Sequence, residues 1–230
     1  MVEQIQLLIL KGALGLLSAL VCRWAAGATN EDAAASAVTA GINGCGKFRY
    51  DTSSGAPSYA RKEGLLFVDE VVYLGDCIKH LGGLGVAEVN CTDCAAFVVS
   101  FANLMGCSLY SSVMEPSHFW QSGFVTHPYC AIGCPDWMPP TWGWGFSYHE
   151  VAWSGNCTDS DLIYDACISV DHDIDPGAFP YSKYLPAGMV FSDGSPLSPF
   201  AYRECLTPSL SGGYECCVSS PTKKIRRLIR

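Results

Sequence analysis

Charge is what this chain has least of. Only 16% of its 230 residues are Asp, Glu, Lys or Arg, and the balance of fourteen bases against twenty-two acids gives a net charge of −8. With 49% apolar residues the composition is that of a globular protein and excludes a disordered one. Basic charge is concentrated at one end of the chain. Lys223, Lys224, Arg226, Arg227 and Arg230 crowd into residues 223–230, so residues 1–222 hold nine bases against twenty-two acids, a net of −13. So acidic a body disfavours nucleic acid as a substrate. The basic tail offers contact with anionic lipid or an acidic partner, although a solvated, frayed terminus explains it equally well. No apolar run is long and uninterrupted enough for a membrane span, and no repeat or low-complexity linker divides the chain. One good-sized domain over residues 33–222 is expected.

Cysteine, by contrast, is abundant: there are thirteen. Setting one aside leaves enough for six disulfides, a density unusual in a reducing cytosol. The expectation is a disulfide-rich protein in an oxidising setting (secreted, extracellular or periplasmic) with its odd thiol kept free. Residues 1–32 form a separate N-terminal segment with two readings. Gly12 to Val21 resembles a leader's apolar stretch, followed by Ala26-Gly27-Ala28. The same segment fits an amphipathic helix with Leu16, Leu17, Leu20 and Trp24 along one side.

The candidate for the free thiol is Cys91, in the run from Asn90 to Gly106. Asn90 is a good N-cap, Asp93 stands three residues on for a capping box, and Gly106 supplies the stop. Nearly everything between is apolar, which predicts a helix enclosed on most sides. A thiol in the first turn meets unpaired backbone N–H groups, which favour the nucleophilic thiolate. Cys94 lies one turn further in and reads as core or disulfide. The Cys91-x-x-Cys94 spacing also suggests a redox pair, but the βαβ setting that pair calls for is missing. A zinc site would need two more ligands, with Cys130 and Cys134 the nearest pair. Neither a metal nor another cofactor is expected.

The candidate base is His149. Residues 146–153 read as a strand with His149, Val151 and Trp153 on one face, and 161–171 read as a second strand. A hairpin centred on Cys157 sets Val151 opposite Ile163 and His149 opposite Asp165. Cross-strand Cβ atoms are then roughly 4.5–5.5 Å apart, close enough for an imidazole–carboxylate contact. A slip of one residue turns Asp165 to the other face, and Asp171 is the runner-up acid. His80, His118, His127 and His172 have no acid so placed. The stretch 115–145, rich in Trp, Pro, Gly and Cys, is long enough to be functional. Trp120, Trp137, Trp142 and Trp144 suit the wall of a cleft or an irregular cap over the core. Asn90-Cys91-Thr92 and Asn156-Cys157-Thr158 are glycosylation sequons, the first awkwardly placed on the proposed nucleophile.

The order Cys, His, Asp resembles the transglutaminase-like superfamily. The match lies in Cys91-Thr92-Asp93 through Gly106, in His149-Glu150-Val151-Ala152-Trp153 and in Tyr164-Asp165-Ala166-Cys167, with the helix-plus-aromatic run 33–50 upstream. It covers residues 33–171 and leaves the C-terminal third unmatched. Glu150 stands where the family commonly carries an aromatic residue, and no oxyanion-hole side chain is identified. The resemblance implies an α+β, papain-like core: a buried helix carrying the cysteine, packed on an antiparallel sheet carrying His and Asp. It also implies Cys91 as nucleophile, His149 as general base and acid, and Asp165 as the orienting group. The implied reaction is acyl transfer through a thioester on a protein or peptide substrate, at a Gln carboxamide or a peptide amide. The product distinguishes a peptidase, amidase or deamidase from a cross-linking enzyme, and a secreted effector or toxin fits the cysteine content. The alternatives are a non-catalytic, disulfide-braced binding module and thiol–disulfide exchange through Cys91 and Cys94. Oligomeric state is not encoded in any feature of the sequence.

Overall fold

The computed structural model describes residues 15, 17–63, 69–83, 85–116, 123–124, 126–134, 146–156, 158–170, 185–195, 198, 200–207, 216–218, 225 and 227–229. Residues 17–24 form helix α1. There follow α2 (Glu31–Gly44), β1 (Phe48–Tyr50), β2 (Ala60–Glu63), β3 (Asp69–Val72), α3 (Leu74–Gly82), β4 (Ala87–Val89), α4 (Cys91–Leu104) and β5 (Tyr110–Pro116). The chain continues through β6 (Tyr129–Ala131), β7 (His149–Trp153), β8 (Leu162–Tyr164), β9 (Ile168–Val170), β10 (Ala187–Val190), α5 (Tyr202–Leu206), β11 (Cys216–Val218) and β12 (Leu228–Ile229).

The central sheet is antiparallel, in the order β10-β8-β7-β5-β11, and α4 packs on β7 and β5 while α2 lies against α4 and β10. Mixed α+β architecture, with the Cys91 helix on an antiparallel sheet, is therefore what the chain adopts. Smaller sheets flank it: parallel β1–β4, antiparallel β6–β9, and β12-β3-β2.

Helix α4 has the expected ends. Asn90 Oδ1 accepts from Asp93 N at 3.1 Å while Asp93 Oδ2 accepts from Asn90 N at 3.2 Å, a closed capping box. At the far end Cys107 N donates to Ala102 O and Gly106 N to Asn103 O, a Schellman motif in which Gly106 takes φ +92°. Between the caps only Val99, Asn103 and Leu104 escape burial. Phe48 of β1 and Phe101 each stack with Phe97, with ring centroids 5.3 and 5.9 Å away. Asp93 does more than cap: its carboxylate also accepts from the N–H groups of Ser58, Tyr59 and Ala60 at 2.7–2.8 Å, tying the start of β2 to the helix.

Four expectations need correction. No disulfide forms among Cys22, Cys45, Cys77, Cys91, Cys94, Cys107, Cys130, Cys134, Cys167 and Cys205, which are all free. Most are buried one by one as small apolar side chains, and Cys130 Sγ donates to Cys134 O at 3.2 Å instead of bonding its sulfur. The run 161–171 is not one strand. It breaks at Asp165-Ala166-Cys167, so that β8 joins the central sheet and β9 pairs with β6.

The hairpin register differs by two residues, with Ala152 opposite Tyr164 and Trp153 opposite Ile163. The cause is Asp161, which serves the loop rather than the strand: its Oδ2 accepts from Asn156 N and Thr158 N, both at 2.8 Å. The turn therefore centres on Thr158. A shift of two preserves the faces.

Finally, the C-terminal tail is not simply solvated. Arg227, its side chain only 6% exposed, makes two bonds to Glu150, Nη1–Oε1 2.6 Å and Nη2–Oε2 3.1 Å, and lies 3.6 Å from Glu70 Oε2. β12 adds to β3 in parallel. At the other end of the chain, Leu17 and Val21 of α1 are part of the common core. No helix among the described residues is long and apolar enough to cross a membrane.

Candidate functional site

Strand β7 is buried along its whole length, and His149 at its start is 0% exposed. Its Nε2 lies 2.8 Å from Asp165 Oδ2. With the register shifted, the two residues are diagonal rather than directly opposite. Diagonal neighbours on one face are still within reach of long side chains. Asp165, 2% exposed, sits at the break between β8 and β9. Its N–H donates to Pro186 O at 2.8 Å, and its Oδ1 accepts from Cys167 N at 2.8 Å in an Asx-type turn. Its Oδ2 accepts a second bond, from the Tyr202 hydroxyl at 2.8 Å.

An ionised carboxylate only accepts, so Nε2 carries the proton and Nδ1 is the ring nitrogen left for other work. Nδ1 is buried and has no hydrogen-bond partner of regular geometry. Burial pulls the imidazole pKa down. The Asp165 carboxylate, by charge and by hydrogen bond, and then the Cys91 sulfur more than offset it, raising His149 to about 10. Phe146 stacks on the ring at 4.5 Å between centroids, and Tyr129 stacks on Phe146 at 5.0 Å.

Cys91, the first residue of α4, is 2% exposed. Around it stand tyrosines. The Tyr148 hydroxyl is 3.3 Å from Thr92 Oγ1 and 3.4 Å from Asn90 Nδ2, the residues on either side of Cys91. Burial raises the pKa of Tyr148, Tyr129 and Tyr50, and the nearby Cys91 sulfur raises each further; Tyr129 reaches about 12. These hydroxyls are protonated donors at neutral pH.

The structure thus brings Cys91, His149 and Asp165 into one buried cluster. Cys94 lies beside the cluster but is tied to another partner: its thiol is hydrogen-bonded to Cys167, which pulls its pKa down, but burial and the neighbouring charges of Asp93 and Asp165 raise it overall. Glu150 points to the opposite side of β7, into the Arg227 pair. Asn90 is fully buried and its Nδ2 donates to Gly55 O at 2.8 Å, so the first sequon is closed, whereas Asn156 is exposed. Among the described residues no group of three or more His, Cys, Asp or Glu side chains could hold a metal ion. Asp171, Cys157, His118, His172 and the tryptophans 120, 137, 142 and 144 lie outside the described residues. A groove of about 380 Å³ runs past Ser100, Asn103, Leu109 and Arg227 at the other end of α4, away from Cys91.

Sequence reasoning missed Tyr202 and Phe146. Tyr202 comes from the C-terminal third, and nothing in its local sequence marks it. Phe146 was legible only as a strand residue. The chain matches no protein-family model, no curated protein and no solved structure.

Proposed function

We propose that the protein carries out cysteine-dependent acyl transfer on protein or peptide amides, with Cys91 as nucleophile, His149 as general base and acid, and Asp165 as the orienting group. The observation that carries this is the buried His149–Asp165 pair, which occupies Nε2 and leaves Nδ1 unpartnered, with the Cys91 sulfur acting on the same ring. The resemblance of residues 33–171 to the transglutaminase-like superfamily supports the same roles. In this scheme Nδ1 of the imidazolium holds the proton given up by the thiol, and the thiolate sulfur attacks the amide carbonyl. The Cys91 N–H, in the first turn of the helix, donates to the oxyanion. As the C–N bond breaks, Nδ1 protonates the departing ammonia or amine, leaving a thioester. Water then gives hydrolysis, and a lysine or polyamine gives transfer. Because Cys91 and His149 are closed off from solvent, an acyl donor reaches the sulfur only after a covering segment moves.

An enzyme acting outside its cell, an effector or toxin included, fits the thirteen cysteines; the free thiols give that setting no further support. For thiol–disulfide exchange, the hydrogen bond between Cys94 and Cys167 favours that pair over Cys91 and Cys94. Limiting iodoacetamide at pH 6, read by peptide mass spectrometry, tests the proposal. Cys91 should label faster than the exposed Cys22, and His149→Ala should abolish the advantage. Labelling of Cys91 no faster than Cys22 overturns it. A labelled primary amine then separates transfer from hydrolysis by its appearance in the product.

A further inference from the structure

The acid of the cluster is held by a residue that the proposed triad does not use. Asp165 Oδ2, the oxygen facing His149 Nε2, is also the acceptor of the Tyr202 hydroxyl, and both bonds measure 2.8 Å. Tyr202 is fully buried. Its helix is short but firmly mounted. Ala201 bridges to Val190 at the end of β10, Arg203 N donates to Phe191 O at 2.9 Å, and Ser192 Oγ donates to Glu204 Oε1 at 2.8 Å. A second strap runs from His127 N to Leu206 O at 2.8 Å. β10 in turn pairs with β8, the strand that leads into Asp165. The hydroxyl and the carboxylate are therefore fixed to the same edge of the same sheet.

We propose that Tyr202 is a positioning residue of the site: by sharing the Asp165 oxygen that meets His149, it sets how strongly that carboxylate holds the imidazole proton. The proposal rests on the acyl-transfer reading for its significance, but its physical content lies in the imidazole and can be measured there. An acceptor oxygen with two donors gives less to each than an oxygen with one. Removing the hydroxyl leaves the carboxylate anchored by Cys167 N on Oδ1 and concentrates Oδ2 on His149. The other groups facing the pair are the thiols of Cys91 and Cys94 from α4 and of Cys167 from the break. The Tyr50, Tyr129 and Tyr148 hydroxyls stand beyond Cys91, and the Glu150–Arg227 pair lies on the far side of β7. None of these is changed by Tyr202→Phe. The site therefore depends on the C-terminal third of the chain, the part with no counterpart in the family resemblance.

The test is histidine-selective ¹⁵N NMR of the full chain. In Tyr202→Phe the His149 titration midpoint should rise by about one pH unit, and the Nε2–H proton should move downfield as its bond to Oδ2 strengthens. In an Asp165→Asn background the same substitution should leave the midpoint unmoved, because Tyr202 reaches the imidazole through that carboxylate. Resonances of His80 and His127 report whether the fold is intact. A midpoint that stays put or falls in a folded Tyr202→Phe protein overturns the proposal. So does a shift of equal size in the Asp165→Asn background, which would make the tyrosine a packing residue. Failure of the acyl-transfer reading would appear separately, as loss of selective Cys91 labelling in the wild-type protein while the imidazole shift persists.

Discussion

Replacing Asp165 by Asn preserves the shape of the side chain and removes its charge, so it isolates what the carboxylate does for His149. In the native protein burial pulls the imidazole down, and Asp165 and Cys91 together lift it from 6.5 to about 10. A histidine with a raised folded-state pKa adds stability that is fully present below pH 6.5 and is lost as pH climbs towards 10. Between pH 6.5 and about pH 8 this one group should cost the native protein about 1.5 kcal/mol. Thiols add to the slope in both proteins: burial pushes Cys45, Cys77, Cys94, Cys107, Cys167 and Cys205 upward, unfolded thiols titrate near 8.5, and together they cost the native state about 1 kcal/mol by pH 8. In Asp165→Asn burial prevails and the ring is neutral. Its proton moves to Nδ1, since the amide N–H₂ now faces Nε2 as a donor. Urea unfolding at constant ionic strength should then give a stability loss from pH 6.5 to about pH 8 that is smaller than the wild-type loss by about 1.5 kcal/mol, with a decline below pH 6.5 that the wild type lacks. At pH 6, Cys91 alkylation should fall about 100-fold, for want of an imidazolium beside the sulfur. An Asp165→Asn protein that keeps the wild-type slope, or that alkylates at the wild-type rate, would refute the coupling of these three residues.

Asp93→Asn confronts four backbone N–H groups with an amide that can accept on only one of its two arms. Urea unfolding should show a loss of roughly 2–4 kcal/mol. Arg227→Ala strands the Glu150 carboxylate, 3% exposed, on β7 and should cost roughly 3–5 kcal/mol. Glu150→Gln combined with Arg227→Met should recover most of that in the same denaturation assay, whereas a tail that is merely solvated would show no effect of Arg227→Ala.

The parts of the fold that a local sequence pattern specifies were legible before any coordinates. The caps of α4 are one example: Asn90, Asp93 and Gly106 each act through bonds to residues no more than four positions away. The common face of His149 and Asp165 is another, because parity along a strand survives a shift of two. The register itself was not legible. It depends on whether Asp161 extends the strand or closes the loop, and aspartate suits both until its carboxylate finds Asn156 N and Thr158 N. The break at Asp165 was hidden for a similar reason, since residues 161–171 alternate well enough for one strand while β9 takes its partner from β6. Tyr202 and Arg227 lay furthest from view. Each contributes through a contact made 37 and 77 residues away, respectively. The disulfides were inferred from a count, and a count cannot distinguish cysteine as a cross-link from cysteine as a small core residue.

Asp93 binds two pieces of chain with one side chain, and this gives the start of α4 a cooperative character. To unwind the first turn, the carboxylate must release its grip on Asn90, and in doing so it drops the amides of Ser58, Tyr59 and Ala60. These four N–H groups therefore belong to a single opening unit and should share one hydrogen-exchange free energy, although about thirty residues separate the segments. The turn that carries Cys91 does not fray like an ordinary helix end. It opens only when the entrance to β2 opens with it.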